Sequence, residues 1–124
     1  LEGDAVRAPR PDLGRVLLST GQVIDLDRPV VVGRKPIGNR FPGADLPRLE
    51  SVPSTTGEIS KTHLAVRLED WHVLVGDLGS SNGTILRRPG QQPRRLDPSH
   101  AEHARSGDVV DLGDGCTLTF EDVP

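Results

Sequence analysis

Three short polar strings in this 124-residue chain carry side chains able to do chemistry: Gly33-Arg34, Ser60-Lys61-Thr62-His63 and Ser81-Asn82-Gly83-Thr84. An arginine presents a rigid, planar fork of donors that matches phosphate or carboxylate oxygens. Serine hydroxyls and a lysine ammonium add further donors, and an asparagine amide both donates and accepts, which suits it to clamping a peptide backbone. None of the three strings holds an acidic residue. Together they describe an anion receptor with a peptide clamp beside it.

Two other chemistries draw on overlapping residues. Ser60, His63 and Asp77 are the types of a hydrolase triad. However, Ser60 and His63 stand three apart at a strand entry, where alternate side chains point to opposite faces. No Gly-x-Ser-x-Gly elbow is present. His100 and His103, with His72 and Cys116 elsewhere, are potential zinc ligands. Zinc usually takes four ligands with paired spacing, and a single cysteine forms no pair. The histidines read as exposed loop residues, and neither a metal nor a cofactor is expected.

The elements around the strings are short. Strand signals run over Gly14–Ser19, Gln22–Leu26 and Pro29–Gly33, the first two separated by a tight Thr20-Gly21 turn. They resume at His63–Leu68, where Leu64, Val66 and Leu68 alternate with Ala65 and Arg67, and continue at Trp71–Leu78 and Thr84–Arg87. Arg94–Leu96 follows, and Asp108–Leu112 and Cys116–Phe120 form a last hairpin around Gly113-Asp114-Gly115. Between them residues 36–57 break the rhythm with Pro36, Gly38, Pro42, Gly43, Pro47, Pro53 and Gly57, and read as one long loop. No window shows sustained helical periodicity; Ser99–Ala104 is compatible with one helical turn at most. About ten short strands between turn signals predict a β-sandwich or barrel. The loops of a sandwich gather at its two ends, so the three polar strings are able to share one end.

Composition sets the remaining bounds. The length suits one domain with one core, and with only Trp71, Phe41 and Phe120 as aromatics that core must be mostly Val and Leu. The formal net charge of −3 argues against general nucleic-acid binding. No apolar run approaches the roughly 18 residues that suggest a membrane span, and no signal peptide is visible. The single cysteine, Cys116, excludes an internal disulfide and reads as a small core residue, consistent with a reducing compartment. Residues 1–12, with Pro9 and Pro11 and no periodic pattern, predict a flexible N-terminal arm, leaving 13–122 as the domain. The start at Leu1-Glu2 predicts a piece of a longer protein.

The ordered set Gly33-Arg34, Ser60-x-x-His63 and Ser81-Asn82-Gly83, with the run Asp77-Leu78-Gly79-Ser80-Ser81-Asn82-Gly83-Thr84, resembles the signature of forkhead-associated (FHA) domains over about residues 14–122. The resemblance implies an all-β, eleven-stranded sandwich of two sheets with binding loops at one end. It implies a non-catalytic module that binds phosphothreonine in an extended peptide. Its partner is then a phosphothreonine-containing protein, in trans or within the same full-length protein, with a Ser/Thr kinase upstream. Nucleic acid and membrane contact are not expected, and the cytoplasm is the expected location. Arg34 is implied to pair with the phosphate, Ser60 to donate its hydroxyl, and Lys61 to add charge or a backbone donor. Ser81 is implied to line the phosphothreonine pocket, and Asn82 to hold the peptide backbone. Gly33 is implied to permit the turn, His63 to brace the loop carrying Ser60, and Gly83 to take positive φ. The 25 residues between Arg34 and Ser60 exceed the family's expected loop. Arg40 and Arg48 within it are candidates for contacting acidic peptide positions. The alternative reading is a sandwich that binds proteins without phosphate, with Arg34 and Ser60 structural.

Overall fold

The computed structural model describes residues 12–38 and 46–124. The expected N-terminal arm therefore lies outside the described residues except for Asp12, and so does Arg40.

The described residues form eleven strands and no helix. In chain order they are β1 Arg15–Leu18, β2 Val23–Asp25, β3 Val30–Gly33, β4 Arg48–Ser51, β5 Leu64–Glu69 and β6 His72–Asp77. There follow β7 Ile85–Arg87, β8 Arg94–Arg95, β9 Glu102–His103, β10 Val109–Gly113 and β11 Cys116–Glu121. One sheet has the order β2-β1-β11-β10-β7-β8, the other β4-β3-β5-β6-β9. Among the described residues no helix is long and apolar enough to cross a membrane.

Period-two patterning decides which side chains go inside. In β11 Cys116, Leu118 and Phe120 are buried while their neighbours are half-exposed, and β1 and β10 repeat this with Val16, Leu18, Val110 and Leu112. The register sets Val16 opposite Phe120 and Val110 opposite Leu118, so the apolar faces of adjacent strands coincide. Val30, Val32, Leu64, Val66, Val73 and Val75 supply the facing sheet, and the two sets make one core. Phe120 is fully buried within it, whereas Trp71 remains 64% exposed.

Two elements depart from the sequence reading. The long loop contains β4, which pairs parallel to β3 from Val30↔Arg48 to Gly33↔Ser51. Its sequence, Arg-Leu-Glu-Ser, buries none of its four residues. Backbone pairing at a sheet edge, rather than an apolar face, makes it a strand, so periodicity had nothing to reveal. The single helical turn considered for Ser99–Ala104 is instead β9, set by pairing of Glu102 and His103 with Val75 and Leu74 of β6. Both cases are long-range backbone pairings that overrode a local pattern.

Truncating the largest core side chain measures this packing. Phe120→Ala is expected to lower unfolding stability by about 3–5 kcal/mol. Urea denaturation checks it as a lower midpoint at unchanged slope.

Candidate functional site

Strand directions bring the polar strings to one end. β3 and β5 are antiparallel, with Val32 opposite Leu64, and β5 and β6 are antiparallel, with Leu64 opposite Asp77. The exit of β3, the entry of β5 and the exit of β6 therefore lie together. β7 enters opposite Asp111 near the end of β10, which adds the β10–β11 turn to the same group.

Gly33 is where the first two strings touch. A Cβ there would stand 2.0 Å from the Lys61 carbonyl oxygen and 3.0 Å from that of Ser60. Its φ is not left-handed, so the glycine serves this close backbone approach and not a turn, which corrects the role expected for it. The Arg34 N–H donates to the Ser60 carbonyl at 3.2 Å and the Lys35 N–H to that of Lys61 at 3.0 Å. The Arg34 side chain is then aimed by its Nε, which donates to the Ile59 carbonyl at 3.0 Å. Among the described residues its two Nη groups have no partner, and the residue is exposed.

His63 joins the second string to the third. Its ring is fully buried. The Ser60 N–H donates to Nδ1 at 3.0 Å, so Nδ1 carries no proton, and Nε2–H donates to the Gly83 carbonyl at 3.0 Å. The ring is thereby a neutral tautomer with both nitrogens occupied. The Ser60 hydroxyl accepts the Ser81 N–H at 3.0 Å, which leaves its own proton to be donated outward.

Asp77 shapes the third string from below. Strand alternation turns its carboxylate inward with Val73 and Val75. Oδ2 accepts the N–H groups of Gly79 and Ser80, and Oδ1 accepts the hydroxyls of Ser80 and Thr84. Ser80 Oγ in turn accepts the Gly83 N–H at 2.9 Å. Gly83 takes a φ of 85°, and a Cβ there would also collide with the Arg95 guanidinium, 2.5 Å from its Nε. The residues left exposed at the loop's crest are Ser81 and Asn82. The Asn82 amide donates to the Glu58 carbonyl at 3.1 Å.

Arg34, Ser60, Ser81 and Asn82 are thus connected by hydrogen bonds among the loops, and Lys61 is exposed beside them. Arg48 stands apart. It pairs with Val30 at the opposite end of β3, about 10 Å along the strand from Gly33, and its guanidinium faces Glu50 at 3.5 Å. One organiser was not visible beforehand. Asp114, read only as a turn residue, binds Ser54, Thr56 and Glu58 across more than fifty residues of sequence. A carboxylate in a Gly-Asp-Gly turn carries no local sign of such partners.

A family model for the FHA domain matches residues 30–120. The chain belongs to the FHA domain family. The fold is similar to that of the FHA domain of an Arabidopsis thaliana hypothetical protein, at 23% identity and a TM-score of 0.64, covering 94% of this chain and 92% of that one. It is similar to the FhaA FHA domain complexed with the intracellular domain of Rv3910, at 22% identity, a TM-score of 0.60 and coverages of 86% and 98%. The MEK1 FHA domain, solved with a HOP1 phosphothreonine peptide, gives 20%, 0.59, 90% and 97%. No curated protein matches the chain.

The Ser60 hydroxyl does not meet the His63 ring, whose nitrogens bind the Ser60 N–H and the Gly83 carbonyl. His72 and His103 face each other with ring centroids 4.7 Å apart, and His100 stands by Asp97. Among the described residues no three potential ligands converge on a metal position.

Burial holds the His63 pKa below its ordinary value of 6.5, despite the opposing Gly83 carbonyl and Asp77. Burial pushes the Asp77 carboxyl up, but the hydrogen bonds from Ser80 and Thr84 outweigh it and hold it below the usual range. For His63 the unfolded chain takes up the proton first as pH falls. Its contribution is complete above 6.5 and is lost as pH falls through the lower folded pKa. Thermal melts should therefore show a lower Tm at acid pH than at neutral pH, and His63→Gln should flatten that part of the profile. A second expectation concerns Gly33→Ala, whose methyl overlaps the Lys61 carbonyl. It should destabilise the domain by about 1–3 kcal/mol or more, read as a shifted denaturation midpoint.

Proposed function

We propose that this FHA domain binds a phosphothreonine-containing segment of a partner protein, and that residues 13–122 are the binding unit. The observation that carries the reading is the Arg34 guanidinium. Its Nε is held by the Ile59 carbonyl, its Nη pair is without a protein partner among the described residues, and the free Ser60 O–H lies in the same hydrogen-bonded loop group. A dianionic phosphate suits this donor set, because two parallel Nη–H bonds match two phosphate oxygens. Arg34 takes the phosphate, Ser60 donates its hydroxyl, and Lys61 adds positive charge. Ser81 lines the pocket, and Asn82 holds the peptide backbone with the amide capacity left after its bond to Glu58. Gly33, His63 and Gly83 maintain the loops.

Support comes from two relatives. The MEK1 FHA domain was solved with a phosphothreonine peptide, and the FhaA FHA domain with an intracellular domain of another protein. A Ser/Thr kinase then writes the ligand, in trans or elsewhere in the same full-length protein, and the encounter takes place in the cytoplasm. The domain binds its ligand without turnover.

Titration with a threonine peptide and its phosphorylated twin, chosen from a degenerate library, tests the reading. The phosphorylated peptide alone should bind. Equal affinities would instead favour the phosphate-independent interaction module. Arg34→Ala should leave the domain folded and remove two charge-assisted hydrogen bonds of about 1.5–3 kcal/mol each, weakening binding about 100-fold or more. Near-normal affinity in that variant would reject Arg34 as the phosphate ligand.

A further inference from the structure

The two groups at the heart of the proposed site are aimed by neighbouring backbone carbonyls. Ile59 holds Arg34 Nε and Glu58 holds the Asn82 amide. In the segment bearing these carbonyls residues 55–58 are all exposed, and Ile59 alone is packed in the core. Asp114, in the β10–β11 turn, holds it in place. The Asp114 carboxylate accepts the Ser54 and Thr56 hydroxyls, the Thr56 N–H at 3.2 Å and the Glu58 N–H at 3.0 Å. The Asp114 N–H donates back to the Glu58 carboxylate at 2.5 Å, and Ser54 Oγ accepts the Ile59 N–H at 3.0 Å. The hydroxyl bonds hold the Asp114 carboxyl below its usual pKa, so it is an anion at neutral pH.

Of the two hydroxyls, that of Ser54 is on a half-buried residue and that of Thr56 on an exposed one. A hydroxyl at Thr56 donates to the carboxylate. A phosphate there would carry acceptors and about −1.5 to −2 of charge against the same anion. We propose that Thr56 is a phosphorylation site that switches this FHA domain off. The phosphate repels Asp114, releases segment 54–59, and withdraws the Glu58 and Ile59 carbonyls from Asn82 and Arg34.

The inference rests on the phosphothreonine-binding reading above. In the reaction a protein kinase supplies a nucleoside triphosphate. Thr56 Oγ1 bonds to the γ-phosphorus, the nucleoside diphosphate leaves with the electron pair of the broken P–O bond, and the hydroxyl proton passes to the kinase's base. The kinase acts on the locally opened loop, since Thr56 is engaged when the loop is closed. The phosphate then keeps the loop open.

The test uses the full chain with phosphothreonine installed at position 56, titrated with the phosphothreonine peptide selected on the unmodified chain. Binding should weaken about tenfold or more, the equivalent of one charge-assisted hydrogen bond. Thr56→Val, which removes the hydroxyl without adding charge, should weaken it less. Asp114→Asn should weaken the unmodified chain yet strengthen binding by the phosphorylated one, because it removes the repelling charge. Affinity within about twofold of the unmodified chain, or an equal loss on Asp114→Asn in both forms, would overturn the proposal. The peptide-free chain gives a separate reading by NMR of the Asn82 side-chain amide and the Arg34 Nε–H. Phosphorylation should shift both signals, and unmoved signals would overturn the loop mechanism. If the unmodified chain binds no phosphothreonine peptide, the function assigned to the site fails, while these signals still decide whether Thr56 controls the loop.

Discussion

The buried imidazole of His63 ties the backbones of two loops together from within the sandwich. Nδ1 fixes the backbone at Ser60, and Nε2 fixes it at Gly83. A protonated ring would have to offer a donor to the Ser60 N–H, itself a donor, so the arrangement exists only with neutral histidine. Full burial enforces that neutrality, because an ion at this depth loses its hydration. Ser60 and Ser81 can then share a hydrogen bond through Ser60 Oγ.

Two carboxylates complete the frame, each in a different setting. Asp77 points into the sandwich and gathers Gly79, Ser80 and Thr84 beneath the third loop. Asp114 sits at a hairpin tip belonging to the other sheet and gathers the segment before Ser60. Each answers the same requirement. Loop backbone at a sandwich end lacks ladder partners, and its N–H groups need acceptors. Asp77 has them within seven residues of itself, and Asp114 reaches them only through the fold.

The long connection after Arg34 does not simply extend the rim of the site. Its described residues from Arg48 onward run beside β3 as β4, from the far end of that strand to where Ser51 Oγ donates to the Arg34 carbonyl at 2.9 Å and the Val52 N–H donates to that of Gly33. Arg48, paired with Val30, stands at the far end. Ser51 and Val52 are carried back to buttress the backbone from which Arg34 projects.

Much of this was legible in the chain alone. Alternation in Leu64–Leu68 and Cys116–Phe120 determined which faces are buried, since a one-residue slip would expose every apolar side chain. The order Gly-Arg, Ser-x-x-His, Ser-Asn-Gly determined which residues meet, because each string sits at a strand end where direction is set by pairing. The tertiary structure alone decided the rest. It made an edge strand of Arg48–Ser51, which has no core face, and a strand of Glu102–His103, which pairs only because β6 runs alongside. It changed the reason for Gly33 from turn to close approach, since the Lys61 carbonyl that would lie 2.0 Å from a Cβ there belongs to chain 28 residues away. It made Asp114 an anchor for residues more than fifty positions earlier. Local sequence encodes periodicity and direction; hydrogen bonds between distant loops depend on how two sheets are stacked, and that is written in no single stretch of the chain.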